Sequence, residues 1–229
     1  MKEFKLPSLE ELLKKGVHFG HKTNKRHPKM SPFIFTKRNG ISVIDLEKTV
    51  VYLKKALDFT TKIAEKDGKI LFIGSKKQAK EIVKKAADSS AMPYIIGRWL
   101  GGTFTNFNNI VRLTQKLEKL EKDKEEGNWE KYTKKEQVTF TKQIAKLEDT
   151  VGGIRTMKQL PAAVFVVDIK KEKTAVLEAN KMKVPVIAMT DTNVNPEMVQ
   201  YPIPANDDAI KSIEVITNLI AEAINNSKK

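Results

Sequence analysis

Residues 162–168 have the sequence Ala-Ala-Val-Phe-Val-Val-Asp and are the most apolar short run of the chain. A run of this length, rich in β-branched and aromatic side chains, predicts a β-strand, and its lack of polar alternation indicates burial on both faces. Such strands are typical of parallel sheets that are covered by helices on both sides. Residues 162–168 therefore predict a central element of an α/β domain.

The alternation of apolar strands and amphipathic helices continues on both sides of this strand. Toward the carboxyl end, the predicted elements are a helix over 172–181, a strand over 184–190 and a helix from an Asn206 cap to about residue 225. Toward the amino end, the predicted elements are strands over 41–44, 69–74 and 94–96, and helices over 46–64 and 75–87. We therefore predict an α/β fold with a doubly wound parallel sheet whose first strand is 41–44.

A helical insertion interrupts this pattern between the strands at 94–96 and 162–168. Apolar residues recur three and four positions apart from Ile110 to Leu120 and again from Phe140 to Ile154, with a Gly127-Asn128 break between the two runs. These spacings predict an antiparallel coiled-coil hairpin. Its basic and acidic residues are nearly balanced, which favours a protein contact or a rigid prop over a nucleic-acid contact. The alternative is a hairpin that packs back on its own domain.

The predicted organisation has three parts. They are an N-terminal helix with a basic segment over 1–40, an α/β domain over 41–108 and 155–229, and a hairpin insertion over 109–154. Thr133 and Glu136 have the spacing of a capping box for the second hairpin helix, and Ser8 and Glu11 have the same spacing before a short first helix.

Composition limits the class of protein. The chain has 229 residues, 40% of them hydrophobic, and a formal net charge of +14, so a folded basic protein with an anionic partner is expected. The chain has no cysteine, which excludes disulfides, thiolate metal sites and cysteine nucleophiles. No apolar run approaches the ~20 residues of a spanning helix, and the first residues are too charged for a signal peptide. We expect a cytoplasmic protein without a membrane partner.

The strongest functional signal is a basic segment without acidic residues. No Asp or Glu occurs from Leu12 to Ile44, and all three histidines lie in this stretch together with Phe19, Phe33 and Phe35. Locally unopposed positive charge is typical of a site for a phosphate backbone, and its glycines and prolines predict a loop. The alternative is a solvated basic face. The cations are Lys14, Lys15, Lys22, Lys25, Arg26, Lys29, Lys37 and Arg38.

The phosphate-binding motifs of nucleotide enzymes are missing. The turn over 72–77 has one glycine where a dinucleotide fingerprint has three, and there is no Walker sequence. The glycine-rich stretch over 97–103 carries Arg98 and Trp99, which suit phosphate contact and base stacking. A turn that lets the chain leave the sheet is an equally good reading of this stretch.

Metal binding and catalysis remain weaker alternatives. His18 and His21 are three residues apart, but they straddle Gly20 and have no carboxylate nearby in the sequence. Four aspartates follow predicted strands, where α/β enzymes usually place their sites, but no nucleophile or base accompanies them. We therefore predict no catalytic residue, no metal and no cofactor. The aspartates are Asp168, Asp191, Asp207 and Asp208.

Seven separated motifs, in order between about Leu9 and Ile220, resemble the family of the second small-subunit ribosomal protein of bacteria. The motifs are Gly16-Val17-His18-Phe19-Gly20-His21, Pro28-Lys29-Met30, Arg38-Asn39-Gly40-Ile41, Arg98-Trp99-Leu100-Gly101-Gly102-Thr103, Thr105-Asn106-Phe107, Asp191-Thr192-Asn193, and Ile203-Pro204 with Asn206-Asp207-Asp208-Ala209.

The resemblance implies a fold and a role. The fold is a flavodoxin-like sheet with a protruding coiled-coil hairpin. The role is that of a non-enzymatic constituent of the small ribosomal subunit that binds its RNA and neighbouring proteins, with the first small-subunit protein among the possible neighbours. The matching RNA candidates are Lys22, Lys25, Arg26, Lys29, Lys37, Arg38 and Arg98, with His18, His21 and Trp99 beside them.

Two other functions stay open at this point. A basic α/β enzyme or nucleotide-binding protein would share the fold class. An adaptor that works mainly through the hairpin would share the insertion. Neither predicts an acid-free segment of more than thirty residues, which is why RNA binding is the leading hypothesis.

Overall fold

The computed structural model describes residues 6–227 and is built around a five-stranded parallel sheet. The strands of the described residues are β1 (Phe19–Lys22), β2 (Ile34–Arg38), β3 (Ile41–Ile44), β4 (Ile70–Ile73), β5 (Tyr94–Ile95), β6 (Ala163–Val166), β7 (Val186–Thr190) and β8 (Tyr201–Pro204). The α-helices are α1 (Leu9–Lys14), α2 (Leu46–Ala64), α3 (Lys80–Ser90), α4 (Phe107–Glu125), α5 (Lys134–Val151), α6 (Lys173–Lys181) and α7 (Ile210–Ser227).

The parallel sheet has the order β5-β4-β6-β7-β8. Numbered along the chain, these strands stand in the order 2-1-3-4-5, which is the flavodoxin-like doubly wound arrangement. The predicted α/β fold is therefore confirmed. The strand order reverses between β4 and β6, so the loops that follow these two strands flank the position where this fold usually binds ligands.

The two faces of the sheet bury separate cores. Phe72 and Phe165 meet edge to face at 5.5 Å in the core beneath α2, α3 and α7. Their neighbours Leu71 and Val164 point to the other core, which includes Val176 of α6. Because successive strand residues point to opposite faces, strands that are apolar at every position serve both cores.

The strand β3 and the basic segment differ from the prediction. β3 does not belong to the parallel sheet but lies between β1 and β2 in an antiparallel three-stranded sheet, so much of the predicted loop is ordered as strands. Asn39 and Gly40 have φ angles of 49° and 74° and join β2 to β3 in a two-residue turn. An Asn-Gly pair between two strand-like runs is a strong hairpin signal, and it distinguishes this turn from a long loop.

The strand β8 and the start of α3 also differ. β8 was not predicted because Pro202 and Pro204 each remove a backbone donor, which is tolerated here because β8 is the edge strand of the sheet. The helix predicted from residue 75 begins at Lys80. The preceding turn is held by Ser75, whose backbone N–H donates to Glu172 Oε1 over 3.0 Å.

The insertion forms two helices that pack against each other. Trp129 and Phe140 meet at 5.4 Å near the connection, while Leu117 shares a buried cluster with Val151 and Ile154. This pairing runs the helices in opposite directions. The Thr133 capping box is present as predicted. A coiled-coil geometry stays a prediction.

The base of the insertion lies against the edge strand β5. A Cβ on Gly97 would stand 2.2 Å from the backbone oxygen of Asp149, and one on Gly153 would stand 2.3 Å from the backbone oxygen of Tyr94. Both glycines thus allow a backbone approach that no side chain permits. In the described part of the chain, no helix is long and apolar enough to span a bilayer.

Candidate nucleic-acid interface

The basic segment is attached to the carboxyl ends of β7 and β8. The N–H of His21 donates to Thr192 Oγ1, and that of His27 donates to the Thr192 carbonyl, each over 2.8 Å. Asn206 donates from its backbone to Val17 O over 3.0 Å and from Nδ2 to Gly16 O over 3.1 Å. Backbone groups of the basic segment are therefore hydrogen-bonded to the loops that follow β7 and β8.

Gly20 permits the closest part of this attachment. A Cβ at residue 20 would lie 2.4 Å from Thr192 Cγ2 and 2.9 Å from the backbone oxygen of Ser42. The small sheet therefore rests on the loop after β7 through a position that has no room for a side chain. The Gly20-His21 and Asp191-Thr192-Asn193 motifs, far apart in the sequence, form one contact.

Most cations of the acid-free segment face solvent. Lys15 and Arg26 are half-buried, and Lys29 pairs with the carboxylate of Glu197. The others form no ion pair with any described residue. The exposed members without such a pair are Lys14, Lys22, Lys25, Lys37 and Arg38.

An apolar groove of about 870 Å³ lies between α1 and the small sheet. Leu9, Leu13, Phe19 and Phe35 line it, and Phe35 keeps 75% of its surface exposed. Lys14 and Arg38 belong to the same lining, together with the carboxylates of Glu10 and Glu47. The basic segment thus presents an apolar surface next to its cations.

The glycine-rich loop presents Arg98 and buries Trp99. Arg98 is exposed, and its role as a phosphate contact stays a prediction. Trp99 retains 9% of its surface, packs edge to face on Phe104 at 5.1 Å, and donates from Nε1 to Glu178 Oε1 over 3.1 Å. The prediction of Trp99 as a base-stacking residue is therefore wrong, because its ring is a core element.

Glu178 is the organising residue of this loop. Its carboxylate also accepts from the backbone N–H groups of Gly102 and Phe104, over 2.8 and 3.0 Å. Burial opposes ionisation, but the N–H groups of Gly102 and Phe104 and the Trp99 indole together lower the pKa of Glu178. Sequence analysis missed Glu178, since an acidic residue inside a helix gives no signal of its distant partners.

The two candidate histidines have different environments. Partial burial lowers the pKa of His18, whose ring lies against Phe19 at 4.0 Å, so His18 is a neutral packing residue near pH 7. The hydrogen bond from His21 Nδ1 to Asp191 Oδ1, at 3.1 Å, raises the pKa of His21 against partial burial. His21 Nε2 also lies 3.5 Å from Asp208 Oδ2. The carboxylate partners that the local sequence lacks are supplied by the fold.

The four aspartates converge beside a single lysine. Lys76 Nζ lies 3.3 Å from Asp168, 2.8 Å from Asp207 and 2.7 Å from Asp208. Burial opposes its charge, yet these carboxylates raise the pKa of Lys76. Burial, with repulsion from Asp168 and Asp191, raises the pKa of Asp207 to about 7. Four carboxylates facing Lys76 and His21 leave an excess of negative charge, which favours the protonated form of the buried Asp207.

This cluster has implications for ligands. Ligating atoms of His21, Asp191 and Asp208 lie within 4.8 Å of one another and are of the type that bind divalent cations. The ammonium of Lys76, 14% exposed, occupies the crevice at the strand-order reversal between β4 and β6. A nucleotide phosphate that entered this crevice would have to displace Lys76 from three carboxylates.

Comparison with known proteins agrees with the seven motifs. The family model described as Ribosomal protein S2 matches residues 12–227. The small ribosomal subunit protein uS2 of Fusobacterium nucleatum subsp. nucleatum is 49% identical over 218 residues, which cover 95% of this chain and 88% of that protein. The family model covers the small sheet, the parallel sheet and the insertion. The chain belongs to the ribosomal protein S2 family.

Proposed function

We propose that this chain binds small-subunit ribosomal RNA through the small antiparallel sheet and the Arg98 loop. As a member of its family it is a structural, non-enzymatic constituent of the small ribosomal subunit in translation. The observation that carries the RNA-binding proposal is the set of exposed cations on β1, β2 and their connections that form no ion pair within residues 6–227. Unopposed cations on an ordered scaffold bind phosphates without first breaking internal pairs.

The proposed contact is mainly to the RNA backbone. Lysines and arginines on short strands and turns position a phosphate backbone, and they carry little base specificity. Lys22, Lys25, Lys37, Arg38 and Arg98 are the main phosphate contacts in this proposal. His21 supports them by fixing β1 to Asp191, and Lys29 acts through the same surface once it leaves Glu197.

The salt dependence of binding tests the proposal. About six phosphate contacts predict a slope of log K against log salt of roughly −4 to −5. Full-length protein and small-subunit ribosomal RNA are titrated by filter binding across a series of KCl concentrations. The triple variant K22Q/K25Q/K37Q is expected to make the slope shallower by about two to three.

A matched control keeps the comparison specific. Lys66, Lys158 and Lys183 are exposed and precede β4, β6 and β7 at the opposite edge of the parallel sheet. The variant K66Q/K158Q/K183Q removes the same charge and is expected to leave the slope unchanged. A wild-type slope near zero, or equal slopes for both triple variants, would overturn RNA binding by the small sheet.

The apolar groove favours a second contact, with a neighbouring small-subunit protein. Leu13, Phe19 and Phe35 are each more than half exposed, and clustered apolar surface of this kind usually marks a protein contact. We propose that an amphipathic segment of a neighbour, with the first small-subunit protein as the candidate implied by the resemblance, packs on Phe19 and Phe35. The hairpin stays a proposed contact for other neighbours.

Substitution of the groove separates this contact from RNA binding. F35S is expected to weaken capture of the first small-subunit protein at least tenfold in a pairwise binding assay. It is expected to leave the RNA salt slope unchanged, since no cation is removed. V138S replaces an exposed apolar residue of α5 and serves as the control. Equal binding by F35S and wild type would exclude the groove.

A further inference from the structure

We infer that a second RNA-phosphate contact is made by Lys77 and Lys170, on the loops that follow β4 and β6, and by Lys173, the first residue of α6. These carboxyl-edge lysines lie outside the acid-free segment and outside the resemblance motifs. The inference rests on the proposed function for its ligand class, because it takes RNA as the partner. The inference extends the proposed RNA contact beyond the small sheet and the Arg98 loop.

The fold holds the two loops together as one unit. β4 and β6 are neighbours, so the loops that follow them emerge side by side. The buried Glu172 accepts from the Ser75 backbone, and Lys171 Nζ donates to the Ser75 carbonyl over 2.9 Å. Lys77 lies two residues after Ser75. Lys170 directly precedes Lys171, and Lys173 follows Lys171 by two residues. The backbone segments that carry the three lysines are therefore joined by hydrogen bonds.

The loop after β4 is also joined to the basic small sheet, through Asp208. Asp208 contacts Lys76 Nζ at 2.7 Å through Oδ1 and His21 Nε2 at 3.5 Å through Oδ2. One carboxylate thus joins the loop after β4 to strand β1. We expect one RNA backbone to contact both the small sheet and the carboxyl-edge lysines, because Asp208 holds them side by side.

The carboxylates at this edge of the sheet have partners within the protein. Asp168, Asp207 and Asp208 pair with Lys76, and Glu172 bonds to Ser75. Within residues 6–227 no ion pair involves Lys77, Lys170 or Lys173, and all three are exposed. These three lysines therefore reach a phosphate without first breaking an ion pair, while the carboxylates of the cluster lie beside Lys76.

The same geometry identifies the class of ligand. In this fold a mononucleotide phosphate normally enters the crevice between the strands where the order reverses, but Lys76 fills that crevice here. The carboxyl-edge lysines are exposed and carry their charges on long flexible stems. Such an arrangement suits an extended phosphate backbone that passes over the edge, since lysine ammoniums act as point charges without a fixed pocket.

The salt slope of RNA binding measures this contact. The variant K77Q/K170Q/K173Q is titrated with small-subunit ribosomal RNA beside wild type, the small-sheet variant K22Q/K25Q/K37Q and the opposite-edge control K66Q/K158Q/K183Q. We expect the carboxyl-edge variant to make the slope shallower by about two to three, with the control unchanged. Circular dichroism and thermal melts establish that all variants fold alike.

The variants distinguish the two proposals. If the small-sheet variant changes the slope and the carboxyl-edge variant matches the control, the carboxyl-edge contact is wrong and the small-sheet contact stands. If the carboxyl-edge variant alone changes the slope, the small-sheet proposal fails and this one stands. A wild-type slope near zero overturns both. Millimolar ATP added to the RNA titration of wild type is expected to leave RNA affinity unchanged. Competition by ATP would indicate a nucleotide pocket instead.

Discussion

At the scale of single residues, buried carboxylates decide the shape of the candidate site. Glu178 is 8% exposed and gathers donors from Trp99, Gly102 and Phe104, while Asp207 is 2% exposed and faces Lys76. Both residues organise a loop that carries or neighbours an exposed cation. Neither touches solvent enough to bind RNA itself, so their effects on binding are exerted through position.

Replacement of Glu178 tests its organising role. Glu178→Gln keeps the volume but removes the charge and turns an amide N–H₂ toward donors that have no other acceptor. We expect a loss of about 2–4 kcal/mol in the free energy of unfolding, because buried donors to a charged acceptor would be left unsatisfied. Urea denaturation measures it. Glu214→Gln, on the exposed side of α7, should change stability by less than about 0.5 kcal/mol. A wild-type midpoint for E178Q would contradict this role.

The raised pKa of Asp207 predicts a pH dependence of stability. A carboxyl group whose pKa rises from 3.8 unfolded to about 7 folded binds more protons in the folded state between these values. Its contribution is therefore complete below the unfolded pKa and is lost as the pH rises through about 7. We expect Asp207→Asn to flatten the fall in melting temperature between pH 5 and pH 8.

His21 changes stability with pH in the same direction as Asp207, so single variants of each residue separate the two contributions. The pKa of His21 is raised above 6.5, and its stabilisation is likewise lost as the pH rises through the folded value. H21N should remove part of the same slope while D207N removes the rest. If the melting temperatures of D207N and wild type fall equally between pH 5 and pH 8, the raised pKa of Asp207 is wrong.

At the scale of elements, the way the hairpin joins the sheet depends on backbone contact rather than on side chains. The base of α5 approaches β5 through Gly97 and Gly153, and Arg155 holds Glu121 and Glu148 just beyond it. Helix periodicity predicts both hairpin helices because it is a local property. It contains no information about the strand edge against which they end.

Gly153→Ala tests this junction. The added Cβ would stand 2.3 Å from the backbone oxygen of Tyr94, which is unable to move without disturbing β5. We expect a loss of about 1–3 kcal/mol in the free energy of unfolding, measured by urea titration. Gly101→Ala is the control, because a Cβ there meets nothing within 4 Å. Equal stabilities for the two variants would show that the hairpin base is free to shift.

For the whole molecule, the main feature is that Lys76 lies in the crevice where proteins of this fold usually bind nucleotides. Lys76 and its three carboxylates fill the position at the reversal of strand order. We expect millimolar ATP or FMN to leave the melting temperature unchanged, whereas a folded-state ligand at 100 times its Kd would stabilise by about 2.7 kcal/mol. A clear rise in melting temperature with either nucleotide would contradict the filled crevice.

Features that depend on local pattern follow from the amino-acid sequence alone. Unbroken apolar runs predicted β4, β6 and β7, helical spacing predicted α2, α6 and the two hairpin helices, and the lack of acids from Leu12 to Ile44 indicated the basic surface. The seven motifs also identified the family. These signals lie within a few residues or a few turns of chain, where side-chain periodicity directly reflects burial.

Contacts between residues far apart in the sequence are visible only in the folded structure. His21 bonds to Thr192 across 171 residues, and Lys76 bonds to Asp207 across 131. The tertiary contacts also place β3 in a separate sheet, pair His21 with carboxylates and join Ser75 to Glu172. The indole of Trp99 donates to Glu178 inside the core. Such contacts follow from how sheets and loops pack, and hydrogen bonds and ion pairs form between whichever groups that packing brings within reach.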